Sequence, residues 1–494
     1  MLFLPLISQG QNTFNRTYDI NTSGADFVGT IIDFNGAYYL NNSQSYPSKR
    51  TVNLLKLNAL GDTCLFKPIY DVANTVYYTS STGDGLISTL DSNLLITGAK
   101  VLDTLNQQND SIVAYLTKID LDGNIIWERE FGQHNQSWTN IRHVLQNSDS
   151  TIMILGETNA TVGSGYNDVF IKKLDVNGNV IWEKEYGAAY EDIGILLRPF
   201  PGGGYLVGGV WNRFAVGPID ADMYLLKIDE NGDQEWMNFY GSDFDDGGGM
   251  FTILEDTSIL LFGDVPSTAG PDRDSYIAKI NALGDTLWTK SIDRSGETEY
   301  LGREPIIKTN GNLITGGYFY DATLNAGLNA WIVEMDTSGA IMWERSWSLY
   351  GGVNINQIWD ITWASDGGIL VCGDITSFPV PNDQMAWVMK LDSNGCDSLG
   401  CPTPWVNAIE ELVLQDLDFK IYPNPSTGLV NFQFSESYQN GQLAVYDMVG
   451  NLVFNQYESS EYFTLDFSFF KKGMYLIKMI AEDRKVSVRK LIID

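Results

Sequence analysis

The sequence predicts an all-β protein: a seven-bladed β-propeller closed by an N-terminal strand, followed by a small C-terminal β-sandwich. Three observations carry the expectation. A strand–turn–strand segment recurs seven times, with anchors spaced 52 to 62 residues apart. The 494 residues include 48 Gly, 25 Tyr, 23 Phe and 13 Trp, a composition that favours turns and strands. The periodicity stops at Cys401, where a different pattern of short strands takes over.

Residues 1–10, MLFLPLISQG, form an apolar run ending in small and polar residues. The run lacks a basic start and is expected to be the truncated back half of a secretory signal peptide. The propeller is expected over 11–401. Its clearest copies are LTKIDLDGNIIWEREFG (116–132), IKKLDVNGNVIWEKEYG (171–187) and LLKIDENGDQEWMNFYG (225–241). Looser copies follow at 277–292 and 332–347, with partial ones at 54–63 and 388–396. The anchors are Asn58, Asp120, Asp175, Asp229, Asn281, Asp336 and Asp392.

Each anchor follows a strand that is apolar on both faces, as sheets covered on both sides require. The anchor opens a turn with Gly at its fourth position, which suits a type I turn ending in a left-handed glycine. A second strand follows, carrying Trp127, Trp182, Trp236, Trp288 or Trp343 and, four residues later, Phe131, Tyr186, Tyr240, Ile292 or Trp347. A further hairpin precedes each anchor, so every unit holds four strands, the content of a propeller blade. The seventh unit has no Trp strand, whereas Phe14–Tyr18 resembles one. The N-terminal strand is therefore expected to complete the last blade and remove the open edges.

The repeated Asp-x-Asn-Gly is explained by turn chemistry, because a calcium loop places its glycine at the sixth position. The repeated Trp is expected to pack in the core. Its spacing approaches the tryptophan-docking motif of quinoprotein dehydrogenases, but the longer Thr-Gly turn of that motif is absent. No cofactor and no metal site are called for. Two histidines, His134 and His143, offer little to a triad or a zinc site. A net charge of −31 disfavours nucleic acid, and no apolar run approaches the roughly 20 residues of a membrane-spanning helix.

Of the four cysteines, Cys64 and Cys372 fall in apolar strand patterns and are expected to be buried thiols. Cys396 and Cys401 flank a Gly-containing turn and could form a disulfide in an oxidising compartment. The loops 159–168, 212–222, 266–274 and 321–329 join second and third strands. Asp168, Asp222, Asp274 and Asn329 stand seven positions before their anchors, a candidate circle of ligand-binding acceptors, although each could instead cap its own loop. Most of the acidic residues Glu191, Asp192, Asp243, Asp245 and Asp246 read as solvated connections. No catalytic residue is identified.

A linker is expected at 402–418. The final segment, 419–494, is a set of short alternating strands broken by Pro, Asn and Gly turns, enough for a small sandwich. It contains Tyr422-Pro423-Asn424-Pro425-Ser426-Thr427-Gly428, a Tyr446-Asp447-x-x-Gly450 turn, Lys472-Gly473-Met474-Tyr475 and Arg489-Lys490-Leu491-Ile492. These motifs together resemble the type A C-terminal sorting domain of the Bacteroidetes type IX secretion system. The resemblance covers about one-sixth of the chain and implies export via the periplasm and partnership with the outer-membrane translocon and a sortase-like peptidase. It places the sorting signal at Tyr422, Pro423, Asn424, Pro425, Gly428, Asp447, Gly450, Gly473, Tyr475 and Lys490. The mature protein would be secreted or held on the outer cell surface. The repeats also resemble uncharacterised propellers that precede such domains. The expected role is a binding or adhesion module for a carbohydrate or protein ligand. A polysaccharide-active hydrolase or lyase and a structural surface protein are the alternatives.

Overall fold

The computed structural model describes residues 12–19, 25–46, 49–69, 75–79, 85–102, 111–132, 138–159, 167–213, 221–267, 272–293, 297–321, 327–349, 354–377, 384–397, 419–434, 441–446, 452–458, 460, 462–481 and 486–494. The expected leader and linker lie outside them, as do His134, Cys401, Asp447 and Gly450. All regular elements among the described residues are β-strands. The chain divides into two compact units, 1–407 and 408–494.

The first unit is β-propeller-like, built from antiparallel sheets whose strands follow chain order. Four-stranded sheets span 25–68, 139–186, 191–240 and 247–292, and a sheet over 75–131 splits its first strand into Thr75–Thr79 and Leu86–Ser88. The remaining strands form one nine-stranded sheet. Within it, 298–347 and 354–391 are two antiparallel groups, joined where Leu328 pairs with Ile355 in parallel. Phe14–Tyr18 pairs antiparallel with Gln384–Leu391, in the register Phe14↔Lys390 to Tyr18↔Ala386.

Burial within a sheet follows strand position. Ile152–Thr158, a second strand, is buried at every residue, whereas the fourth strands Val180–Tyr186 and Thr286–Ile292 are largely exposed or half-buried. Apolar faces of successive sheets pack on one another. One cluster joins Leu225 and Met223 to Phe251, Phe262 and Ile277 and on to Trp331 and Val333. Another joins Phe14, Val28, Ile31, Leu40 and Leu55 to Leu370, Cys372 and Val388, so the beginning and end of the unit share a core.

The anchor turns repeat the same bonds. In the clearest copy, the Gly123 N–H donates to the Asp120 carbonyl at 3.0 Å, and the Asp122 and Asn124 N–H groups donate to Asp120 Oδ1 at 3.0 and 2.8 Å. The glycine has φ +75°, a left-handed conformation that an L side chain adopts at a cost. Six of the seven turns are also covered by an aromatic, whereas Gly123 lies against Lys67, Ile69 and Leu54. A methyl group on Gly232 would meet Trp182 at 2.8 Å, one on Gly284 would meet Trp236 at 3.2 Å, and one on Gly395 would meet Trp343 at 2.5 Å. At the front, a methyl group on Gly61 would meet Phe14 at 2.8 Å. The Tyr240 hydroxyl donates to the Gly284 carbonyl at 2.8 Å, and the Tyr18 hydroxyl donates to the Gly61 carbonyl at 2.6 Å. Likewise Lys184 bonds Asp233 at 2.8 Å and Arg16 bonds Asp62 at 2.7 Å.

The second unit pairs Phe419–Tyr422, Leu429–Phe434 and Tyr462–Asp466 in one sheet, and Leu452–Glu458, Gly441–Tyr446, Gly473–Ala481 and Val486–Ile493 in another. Phe419, Val430 and Phe432 of the first share a core with Val445, Ile477, Met479 and Leu491 of the second. That is a small β-sandwich.

Two expectations need correction. Cys64 is exposed, because it stands in a fourth strand, Thr63–Pro68, whose leading residues face solvent. Asp192 and Asp246 are buried rather than solvated, because each caps a connection between sheets. Asp192 accepts the Ala188 and Asn212 N–H groups at 2.6 and 2.8 Å. Asp246 accepts the Ser242 N–H at 2.7 Å and the Ser242 hydroxyl at 2.8 Å. Cys372 is buried, as expected.

Candidate functional site

Asp168, Asp222, Asp274 and Asn329 occupy comparable places at or near the start of a third strand, paired with Thr158, Trp211, Val265 and Phe319. They lie in different sheets and differ in exposure. Asp168 and Asp274 are buried, while Asp222 and Asn329 are half-buried. Burial and then the negative charges of Asp293 and Asp272 raise the Asp274 pKa above the usual carboxylate range, with a bond from Ser267 opposing. Burial likewise lifts Asp192 and Asp246 to about 6, against the bonds their carboxylates accept. Cys396 is buried, with its Sγ 3.2 Å from Arg345 Nη2.

A second group of residues, absent from the sequence expectations, gathers on the first strands of separate sheets. Phe27 comes from Ala25–Phe34, Tyr300 from Thr298–Leu301 and Trp359 from Asn354–Trp363. All three rings are half-buried. Phe27 meets Trp359 edge-on at 5.3 Å between centroids, and Tyr300 meets Tyr318 at 5.3 Å. Between Tyr300 and Trp359 lies the Arg303 guanidinium, 5.5 and 4.7 Å from the two ring centroids. Arg303 is 4% exposed, and its Nε donates to the Ile358 carbonyl at 2.6 Å.

The local backbone explains how Arg303 reaches this place. The first strand breaks after Leu301 and resumes at Ile306, and the Arg303 N–H donates to the Gly316 carbonyl at 3.2 Å. The Arg303 carbonyl accepts the Thr315 hydroxyl at 2.7 Å. Around the cluster, Asp374 accepts the Trp359 indole N–H and, at 2.8 Å, the Gln384 amide. Asp264 pairs with Arg273. Burial raises the pKa of both carboxylates, and it pushes Tyr300 up to about 12. Half-buried rings beside polar groups combine apolar faces with hydrogen-bonding capacity. The signal was faint in sequence, since positions 27, 300 and 359 share no motif.

Apart from this cluster, a cavity of about 520 Å³ lies at the hairpin ends of the earlier sheets, with Phe34, Thr89, Leu145, Gln146 and Arg198 in its lining. Arg198 is engaged there, paired with Glu304 and bonded at 2.5 Å to Nε2 of the buried His143. Among the described residues no group of three or more His, Cys, Asp or Glu side chains could hold a metal ion.

In the C-terminal unit, the Tyr-Pro-Asn-Pro-Ser-Thr-Gly segment fastens the last strand to the first. The Asn424 amide donates to the Lys490 carbonyl, and Asn424 Oδ1 accepts the Ile492 N–H at 2.8 Å. The Ser426 N–H donates to the Ile492 carbonyl, and the Asp494 N–H to the Ser426 carbonyl, both at 2.9 Å. Tyr422–Pro423 and Asn424–Pro425 are cis. Gly428 has φ +149° and lies against Ser468, where a methyl group would come within 2.8 Å. The Tyr475 ring is buried and its hydroxyl donates to the Lys471 carbonyl at 2.7 Å, whereas Tyr422, Gly473 and Lys490 are exposed. The described motif residues therefore comprise a fastening segment at Asn424 and Ser426, a buried ring at Tyr475 and exposed positions such as Tyr422 and Lys490.

Residues 420–494 match the family described as the secretion system C-terminal sorting domain. The C-terminal unit is thus a type IX sorting domain, which directs export to the cell surface or secretion and implies contact with that machinery. No curated protein matches the chain. Among solved structures, the β-propeller domain of the trilobed protease from Pyrococcus furiosus is 13% identical with a TM-score of 0.40, over 78% of this chain and 98% of that one. The Pan2 WD40 domain of Neurospora crassa is 8% identical with a TM-score of 0.42, over 77% and 96%. A protein of unknown function from Dyadobacter fermentans is 12% identical with a TM-score of 0.40, over 65% and 100%.

Proposed function

We propose that the exported protein is a seven-bladed propeller, its ring shut by Phe14–Tyr18, that serves as a surface or secreted binding module. Closure is supported by the contacts of the N-terminal strand. Phe14 and Tyr18 treat the Gly61 turn as Trp236 and Tyr240 treat the Gly284 turn. With that strand assigned to the last unit, seven groups of four strands match the seven anchors. A ring lacks the free edges that promote aggregation.

The observation that carries the binding role is the half-buried aromatic cluster of Phe27, Tyr300, Tyr318 and Trp359 around Arg303. Inner strands of adjacent blades converge on the ring axis, where such side chains form one recognition surface. Asp222 and Asn329 would add acceptors at the rim. Catalysis is less well supported, because the two carboxylates lifted to about 6, Asp192 and Asp246, are occupied as backbone caps. We further propose that a sortase-like peptidase removes the sorting domain after transport, and that Cys396 and Cys401 form a disulfide in the exported protein.

A glycan array probed with the exported protein, run beside a polysaccharide-hydrolysis assay, tests the role. Saturable binding without turnover is the expected result. Turnover, or an absence of ligands on glycan and surface-protein arrays alike, would refute it.

A further inference from the structure

Arg303 presents an unusual electrostatic situation. The chain holds 62 acidic side chains and 31 basic ones, so carboxylate partners are plentiful. Most buried cations here do take one: Lys390 pairs with Asp366 at 2.7 Å and Lys227 with Glu235 at 2.8 Å. Among the described residues Arg303 pairs with none. Of its five N–H donors only Nε has a described acceptor, the Ile358 carbonyl. The rings of Tyr300 and Trp359, 5.5 and 4.7 Å from it, stabilise the charge. They leave the Nη edge, the one that forms paired parallel bonds to a carboxylate, without a described partner.

Nearby carboxylates are committed elsewhere. Asp374 is bonded by Trp359 and Gln384, and Asp360 accepts the Ile31 and Ile361 N–H groups at 2.9 and 2.8 Å. Burying a guanidinium without a directly bonded counter-ion is costly, since Asp374 acts on Arg303 only through space, and an arriving anion would offset that cost. The half-buried rings beside it provide faces on which the C–H groups of a sugar can stack. From this juxtaposition, which deepens the binding role proposed above, we infer that the Arg303 cluster recognises the carboxylate of an acidic sugar, a uronate, while Tyr300, Trp359 and Phe27 hold its ring. The net charge of −31 repels long polyanions at a distance. The occupant is therefore a single uronate residue or a chain end in preference to a continuous acidic polymer.

Titration calorimetry on the full chain, using glucuronate, glucose and acetate as probes, tests the inference. Glucuronate should bind at least tenfold more tightly than glucose, and acetate should compete with it. Arg303→Gln should abolish that preference, and Arg303→Lys, which keeps the charge but loses the paired donors, should retain only part of it. The wild-type comparison stands even if either variant fails to fold. Equal binding of glucuronate and glucose, or binding of glucose alone, would overturn the anionic specificity while sparing the binding role. Binding of glucuronate unchanged by Arg303→Gln would overturn the assigned site. No response to glucuronate would overturn the inference, and the array result would then decide the broader role separately.

Discussion

Replacing Phe14 with Ala probes the join between the first and last strands of the propeller unit. The Phe14 ring is buried, lies 6.3 Å from Tyr38 between centroids and covers Gly61. It belongs to a core shared by residues 28–57 and 364–388. Removing a buried Phe side chain typically costs about 3–5 kcal/mol, the transfer free energy plus the cavity left behind. Tyr18→Phe removes one neutral hydrogen bond to the Gly61 carbonyl and should cost about 1 kcal/mol. Trp182→Ala serves as an internal reference, because Trp182 covers Gly232 between two consecutive sheets. Urea denaturation followed by tryptophan fluorescence should lower the midpoint for Phe14→Ala by at least as much as for Trp182→Ala, which removes a more exposed ring. A Phe14→Ala midpoint equal to wild type, beside a lowered Trp182→Ala midpoint, would refute closure through this strand.

Further outcomes follow from the same contacts. Because burial raises Asp192 and Asp246 to about 6 from near 4, their ionised forms oppose folding above that pH; stability should rise as pH falls from 7 to about 4, by up to about 3 kcal/mol per group. Below about pH 4 the sign reverses, because turn aspartates such as Asp175, held below the usual range by Asn179, begin to lose their stabilising charge. Melting temperatures across pH 3–8 check both limbs, and the double variant Asp192→Asn, Asp246→Asn should flatten the upper one. Asn424→Ala removes both bonds to the 486–493 strand and should destabilise the sorting domain by about 1–3 kcal/mol, read by protease susceptibility of that domain. Deleting 419–494 should leave the propeller in the periplasm, and fractionation showing unchanged surface delivery would contradict the sorting role.

The regular parts of the molecule were legible because local chemistry dictates them. An Asp or Asn that accepts two N–H groups from the residues after it and a glycine at positive φ mark every anchor turn, so the 52–62 residue spacing reports one structural unit. The sorting-domain motif was legible as a pattern, although its fastening of Ile492 appears only in three dimensions. Burial at sheet edges was harder. Cys64 looks apolar in its window yet stands on an exposed fourth strand, and Asp192 looks solvated yet is buried by the N–H groups it accepts. The Arg303 cluster was invisible for another reason. Its members depart from the repeat, and the anchor pattern does not report the break of the strand at 302–305 that positions Arg303.

Backbone amide hydrogen exchange on the full chain, resolved over residues 12–19 and 384–391, tests ring closure most directly. Pairing of Phe14–Tyr18 with Ala386–Lys390 predicts that amides of both segments are protected to the degree seen in Tyr205–Arg213. Exchange of 14–18 at the rate of an unstructured peptide, with 205–213 still protected, would contradict it.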